Sequence, residues 1–183
     1  MHSDTENEII EQFRDPGKQR EAFEKVVRLY GEKLYWLIRK MVLNHDDAND
    51  LLQNTFLKAW TNIEYFRGEA KLSTWLYKIA INECITFLNK QRHVESISLD
   101  EADTFLLERL RGDDYFDGDE VQFKLQKAIL TLPEKQRLVF NMKYFDEMKY
   151  EEISEVVGTS VGALKASFHH AVTKIKSILT NEL

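Results

Sequence analysis

Apolar side chains at three- and four-residue spacing restrict this chain most: Phe23, Val26, Val27, Tyr30, Leu34, Leu37, Ile38 and Met41. A helix turns once in about 3.6 residues, so this spacing lines one helical face and does not suit the two-residue period of a strand. A second continuous face follows in Ala48, Leu51, Leu52, Thr55, Phe56, Ala59 and Trp60. The Asn44-His45-Asp46-Asp47 run before it supplies an N-cap amide and two carboxylates for the positive end of a helix. Only seven Gly and two Pro interrupt 183 residues. The chain reads as all-α.

Charge divides it. Residues 1–19 carry a net −3, 20–92 a net +3, 93–120 a net −8 and 121–183 a net +2. Two mildly basic blocks therefore flank a strongly acidic stretch. The expected organisation is two small helical domains, 1–92 and 121–183, joined by an acidic linker, 93–120. Self-repulsion favours a solvated, extended linker. The alternative is that Phe105, Leu106, Leu107 and Leu110 form one amphipathic turn that docks. So weak a positive charge releases few counterions, so intrinsic DNA affinity should be poor.

In the C-terminal block a helix near 121–131 precedes Pro133, which opens another. A short helix over 150–157 ends at Gly158, where a left-handed turn residue is needed. A longer helix starts near Ser160, with Val161, Leu164, Phe168, Val172 and Ile175 inward. Short helix, glycine turn and long helix make the helix-turn-helix layout, whose second helix enters a DNA groove.

The segment Phe66-Arg67-Gly68-Glu69-Ala70-Lys71-Leu72-Ser73-Thr74-Trp75-Leu76 places aromatics and cations before a helix. Thr74, Lys78, Asn82, Thr86 and Lys90 recur every four residues as its polar face. Trp75, Leu76, Ile79, Ala80, Cys84, Ile85 and Leu88 form its apolar face. Aromatics interleaved with cations and amides can stack on unpaired bases and neutralise phosphates. Trp75 reads as core, with strand stacking the alternative, and solvent contact is the alternative reading of Asn82.

Taken in order, these motifs resemble bacterial sigma factors of the extracytoplasmic-function group. Asp46 to Trp60 is similar to the family's polymerase-binding helix, and Phe66 to Asn82 to its −10 reading and melting segment. Leu132 to Phe140, with Tyr150 to Ser154, is similar to its −35-binding domain. The resemblance implies a promoter-specificity subunit of RNA polymerase, not an enzyme. It implies core polymerase contacts at Asp47, Asp50, Gln53, Asn54 and Leu57. It implies contacts to opened −10 DNA at Phe66, Arg67, Lys71, Thr74, Lys78, Asn82 and Thr86, with Asn82 helping to hold a flipped-out base. It implies duplex −35 contacts at Ser160, Lys165, Ser167, His169, His170 and Lys174. An anti-sigma factor is the further partner implied. Two departures are visible. Asn54 stands where the family often has Glu, and the recognition helix lacks the usual arginines.

Other chemistries find little footing. Cys84 is the only cysteine, so no internal disulfide or cysteine zinc site is possible. His169 and His170 are adjacent, hence about 100° apart on a helix, and make a poor metal pair. No cofactor or metal is expected. A free-standing helix-turn-helix repressor would need stronger basic charge, and a phosphohydrolase at Asp46–Asp50 has no convergent base or nucleophile. No run of about 20 apolar residues is present, so no membrane span is expected. The polar N-terminus is not a signal peptide. The expected location is the cytoplasm.

Overall fold

The structure is a computed structural model that describes residues 2–66, 68, 70–94, 102–111 and 120–181. Among these, the elements are helices and one short 3-10 turn. They are α1 (His2–Phe13), α2 (Gln19–Val42), α3 (His45–Asn62), the 3-10 turn Ile63–Tyr65, α4 (Leu72–Val94), α5 (Ala102–Arg111), α6 (Glu120–Leu130), α7 (Glu134–Tyr144), α8 (Tyr150–Val157) and α9 (Val161–Asn181). Linker residues 95–101 and 112–119, and Arg67 of the proposed −10 loop, lie outside the described residues.

α2 is the central post of the N-terminal block, packed by α1, α3 and α4. Its stripe is buried at Val26, Tyr30, Leu34, Leu37 and Ile38. Leu43 ends it in the left-handed region at φ 55°, its N–H bonded to the Arg39 carbonyl. Asn44 then caps α3, its side-chain oxygen accepting from the Asp47 N–H at 2.9 Å. Such a cap satisfies a donor that the helix itself leaves orphaned.

α1 was not expected from the sequence. Ile9 and Phe13 bury it against α2, and the Glu6 carboxylate accepts from the Ser73 N–H at 3.2 Å. A side chain from α1 thus supplies an acceptor at the N-terminal end of α4.

In the C-terminal block, α6, α7 and α9 enclose Ala128, Ile129, Leu132, Phe140, Ala171 and Ile175. Phe140 and Phe168 stack with ring centroids 5.8 Å apart. Gly158 closes α8 at φ 68°, the left-handed turn the helix-turn-helix requires. A Cβ at Gly158 would meet nothing within 4 Å, so backbone conformation, not space, makes glycine the fitting residue.

The two blocks touch. One buried cluster runs from Leu72, Leu76, Tyr77, Ala80 and Ile81 of α4 into Ile153 and Val156 of α8. The linker is not wholly solvated either. α5 packs on α6, burying Leu106 and Leu110 with Leu43 and Leu130. Of the two readings of the acidic stretch, docking is the one that applies to 102–111. Leu106 and Leu110 lie four apart on one helical face, so their apolar area offsets the cost of ordering the turn.

Candidate functional site

Three surfaces collect the residues singled out in the sequence. The first is the outer face of α3. Asp50, Gln53, Asn54 and Leu57 are exposed there, Leu57 to 61%. Beside them lies a shallow apolar groove of about 560 Å³ between α2 and α3. Its walls are Phe23, Val27, Phe56 and Trp60, with Gln53 and Leu57 on the rim. Edge-to-face contacts of Phe23 with Phe56 (6.1 Å) and Trp60 (5.1 Å) fix its floor. Trp60 and Val27, expected in the core, are each 40% exposed. They sit at the margin of their stripes, where no described helix covers them. Asp47 differs from its neighbours. It accepts an ion pair from Arg109 of α5 at 2.8 Å, and the same guanidinium nitrogen donates to the Val42 carbonyl.

The second surface runs along α4. Lys78, Asn82 and Thr86 are exposed as expected. Thr74 is not: it is 4% exposed, and its place on the polar face is corrected. A four-residue step overshoots a helical turn by about 40°, so the polar row drifts round the helix. Thr74 therefore lands only about 20° from Ile81, on the buried side of α4. Tyr77 and Ile81, absent from the expected apolar face, are buried for the same reason. Burial pushes the Tyr77 phenol well above its ordinary range, with Asp146 and Glu152 adding to the rise.

Phe66 is half-buried, its ring 5.2 Å from Trp75. The two aromatics proposed as core and as stacking platform therefore form one pair. Next to them lies a cleft of about 350 Å³ lined by Tyr65, Trp75, Ile79, Asn62, Asn82 and Lys58. Tyr65 is 77% exposed at its mouth. Lys58 is held by the Glu83 carboxylate at 2.5 Å. Asn62 and Tyr65 were missed in the sequence because they sit at the end of α3 and in the 3-10 turn, outside the stripes used to find sites.

Lys71 is exposed but occupied. Its ammonium meets Glu152 Oε1 of α8 at 2.5 Å, while Glu152 Oε2 accepts from the Lys149 N–H at 2.9 Å. Hydrogen bonding to Glu152, and its charge, raise the Lys71 pKa. Partial burial works against the Glu152 charge, but the bonds from Lys71 and the Lys149 N–H outweigh it and hold that carboxyl below its ordinary range. A second pair is more enclosed. Lys40 donates to Asp146 Oδ1 at 3.3 Å, with side chains 16% and 6% exposed. Burial raises the Asp146 pKa against the opposing pull of Lys40 and Lys33.

The third surface is the solvent side of α9. Ser160, Lys165, His169, His170 and Lys174 are exposed. Ser167 is half-buried at the edge of that face. Ala171, not expected inside, is fully buried. Ser160 caps the helix, its hydroxyl oxygen accepting from the Ala163 N–H at 3.4 Å. Lys165 lies 5.8 Å from the Tyr150 ring centroid, and Lys174 donates to the Thr131 carbonyl at 2.5 Å. The two imidazoles are 6.1 Å apart, edge to face. No group of three potential metal ligands converges among the described residues. No helix among them is long and apolar enough to cross a membrane.

Comparison with known proteins matches this arrangement to two family models. Residues 26–94 match sigma-70 region 2 and residues 122–175 match sigma-70 region 4. The chain is 33% identical over 158 residues to the ECF RNA polymerase sigma factor SigW of Bacillus subtilis, spanning 82% of this chain and 84% of that one. It is 27% identical to the ECF RNA polymerase sigma-E factor of Haemophilus influenzae, over 94% of each. In fold it is similar to CnrH, solved with the cytosolic domain of CnrY, at a TM-score of 0.72 and 20% identity over 98% of this chain and 99% of that one. The sigma factor RpoE of Bartonella quintana, solved with the anti-sigma factor NepR, follows at a TM-score of 0.66 and 21% identity, over 86% of this chain and 96% of that one.

Proposed function

Because the chain belongs to the extracytoplasmic-function group of sigma-70 family RNA polymerase sigma factors, and so directs polymerase to promoters, we propose that its three surfaces divide that work. The α3 face with its apolar groove docks on core polymerase. Exposed aliphatic and aromatic surface there gains free energy on burial, and Asp50, Gln53 and Asn54 supply the polar rim. The α4 face takes the opened −10 strand. The solvent side of α9 enters the −35 major groove, where Lys165 can donate to the acceptor atoms of guanine. The domains divide at 1–92 and 121–183, with 93–120 between them. The protein performs no chemistry of its own and works with polymerase in the cytoplasm. An anti-sigma factor that covers these surfaces is the fitting regulator, as the complex of the structural neighbour RpoE with the anti-sigma factor NepR suggests.

The cleft between the end of α3 and α4 carries the −10 reading. Its Tyr65 and Trp75 rings offer stacking area, and its Asn62 and Asn82 amides offer both donors and acceptors to a base edge. Holding an extruded base offsets an unstacking cost of a few kcal/mol, which favours opening through binding energy alone. The test is in vitro transcription with core polymerase and a genomic promoter pool, followed by Asn82→Ala on a recovered promoter. The variant should fail on duplex template and recover when the −10 region is pre-melted. Full activity of Asn82→Ala on duplex would remove the cleft from the opening step.

A further inference from the structure

We propose that α1 braces the −10 loop: Glu6, with residues 10–14 of the same helix and its end, fixes both ends of the segment between α3 and α4 and so sets the shape of the Asn82 cleft. Glu6 is then a positioning residue for strand opening. This rests on the assignment of the −10 strand to that cleft. The match to region 2 begins at residue 26, so family membership assigns α1 no part in it.

Helical spacing is the first support. Ile9, Ile10 and Phe13 follow Glu6 by three, four and seven residues, which places all four on one face of α1. Ile9 and Phe13 sink into the core shared with α2. The same face reaches both ends of the loop. At the upstream end, Ile10, Phe13 and Arg14 share a cleft of about 240 Å³ with Ile63, Glu64 and Phe66. At the downstream end, Glu6 Oε1 accepts from the Ser73 N–H at 3.2 Å.

The second support is what α4 lacks. Its first intrahelical bond runs from the Trp75 N–H to the Lys71 carbonyl. The Ser73 N–H is therefore one of the donors that a helix leaves orphaned. Lys71 stands at the cap position, and an ammonium cannot accept. The acceptor comes instead from Glu6, 67 residues away, and a carboxylate suits the positive end of a helix. α1 is itself anchored away from the loop. Lys25 of α2 donates to Gln12 at 3.1 Å and pairs with Glu8 at 3.7 Å, and Gln19 donates to the Phe13 carbonyl at 3.2 Å. Between the braced ends Gly68 stands at φ 74°, where glycine brings wide backbone freedom. The loop therefore depends on its ends for its shape. The Phe66–Trp75 ring pair joins those ends. Asn62 and Tyr65 approach the cleft from one end, Trp75 and Asn82 from the other, and α1 fixes both.

The test compares full-length Glu6→Ala and Glu6→Gln with wild type. Glutamine keeps an oxygen that can accept from Ser73; alanine does not. Hydrogen exchange over residues 66–76 reads the brace itself. Glu6→Ala should exchange faster there, with a nearly unchanged melting temperature. With core polymerase on a recovered duplex promoter it should open about two- to tenfold less, the loss of one hydrogen bond. The defect should vanish when the −10 region is pre-melted, and Glu6→Gln should restore both readings. Added to Asn82→Ala, Glu6→Ala should cost clearly less than it does alone, since both act through one cleft. Should Glu6→Ala melt early, Glu6→Asp takes its place, with the same charge and one methylene less reach. Unchanged exchange over 66–76 would overturn the brace. Faster exchange with full opening on duplex, or a defect that simply multiplies with that of Asn82→Ala, would overturn its part in opening. If Asn82→Ala alone opens duplex normally, the cleft assignment fails, while the exchange result still decides whether α1 holds the loop.

Discussion

Leu57→Ala should separate docking from folding. Leu57 is 61% exposed on the outer face of α3, so about two-fifths of its surface is already covered in the free chain. Full burial of a leucine side chain is worth about 1.5–3 kcal/mol. The exposed share, buried only on docking, is therefore worth about 1–2 kcal/mol, or roughly five- to thirtyfold in Kd. The covered share is worth at most about 1 kcal/mol to folding, a melting shift of about 2–4 °C for a chain of this size. The check is titration of labelled protein with core polymerase, beside a thermal melt of the same variant. A several-fold weaker Kd with a nearly unchanged melt is the expected pair of results. Unchanged affinity would refute the α3 face as the docking surface. A large loss of melting temperature would show that Leu57 belongs to the core and that its exposure has been misread.

Three further outcomes follow from the geometry. Leu110→Ala empties a fully buried position that holds α5 and should cost about 2–5 kcal/mol of that docking; limited proteolysis should then cut the linker much faster than in wild type, and equal cutting rates would contradict the docked helix. Replacing His169 and His170 by Ala should change which −35 sequences a randomised selection recovers, each lost base contact costing about 1–3 kcal/mol; identical motifs would show that these imidazoles read no bases. The Lys71–Glu152 link has a defined pH window. Glu152, lowered from 4.5, contributes above its ordinary value and loses that contribution as pH falls through the lowered one; Lys71, raised from 10.5, contributes below its ordinary value and loses it as pH rises through the raised one. Asp146, raised from 3.8, has the opposite acid dependence, favouring the packed fold as it protonates. The melting temperature of wild type should therefore fall in acid by more than that of Glu152→Gln; parallel acid profiles would show that the Lys71–Glu152 contact does not stabilise the fold.

Local periodicity was legible in the sequence because it belongs to one helix at a time. The α2 stripe, the Asn44 cap, the Gly158 turn and the solvent side of α9 all follow from residues within a few positions of one another. The resemblance to sigma factors was legible for the same reason, since its motifs are short runs in a set order. What the sequence did not reveal depends on which face meets which. Thr74 is buried because other helices pack on that side of α4, and no spacing rule within α4 specifies them. Asp47 finds Arg109 from 62 residues away, and Lys71 finds Glu152 from 81 residues away. Their side chains would have stood equally well in water, so only the packed arrangement decides that they pair. The cleft beside Asn82 is likewise assembled from the end of α3, a 3-10 turn and the middle of α4. Each segment contributes a few polar or aromatic atoms that look unremarkable alone. Tertiary packing sets their spacing, and the proposed grip on a base rests on that spacing.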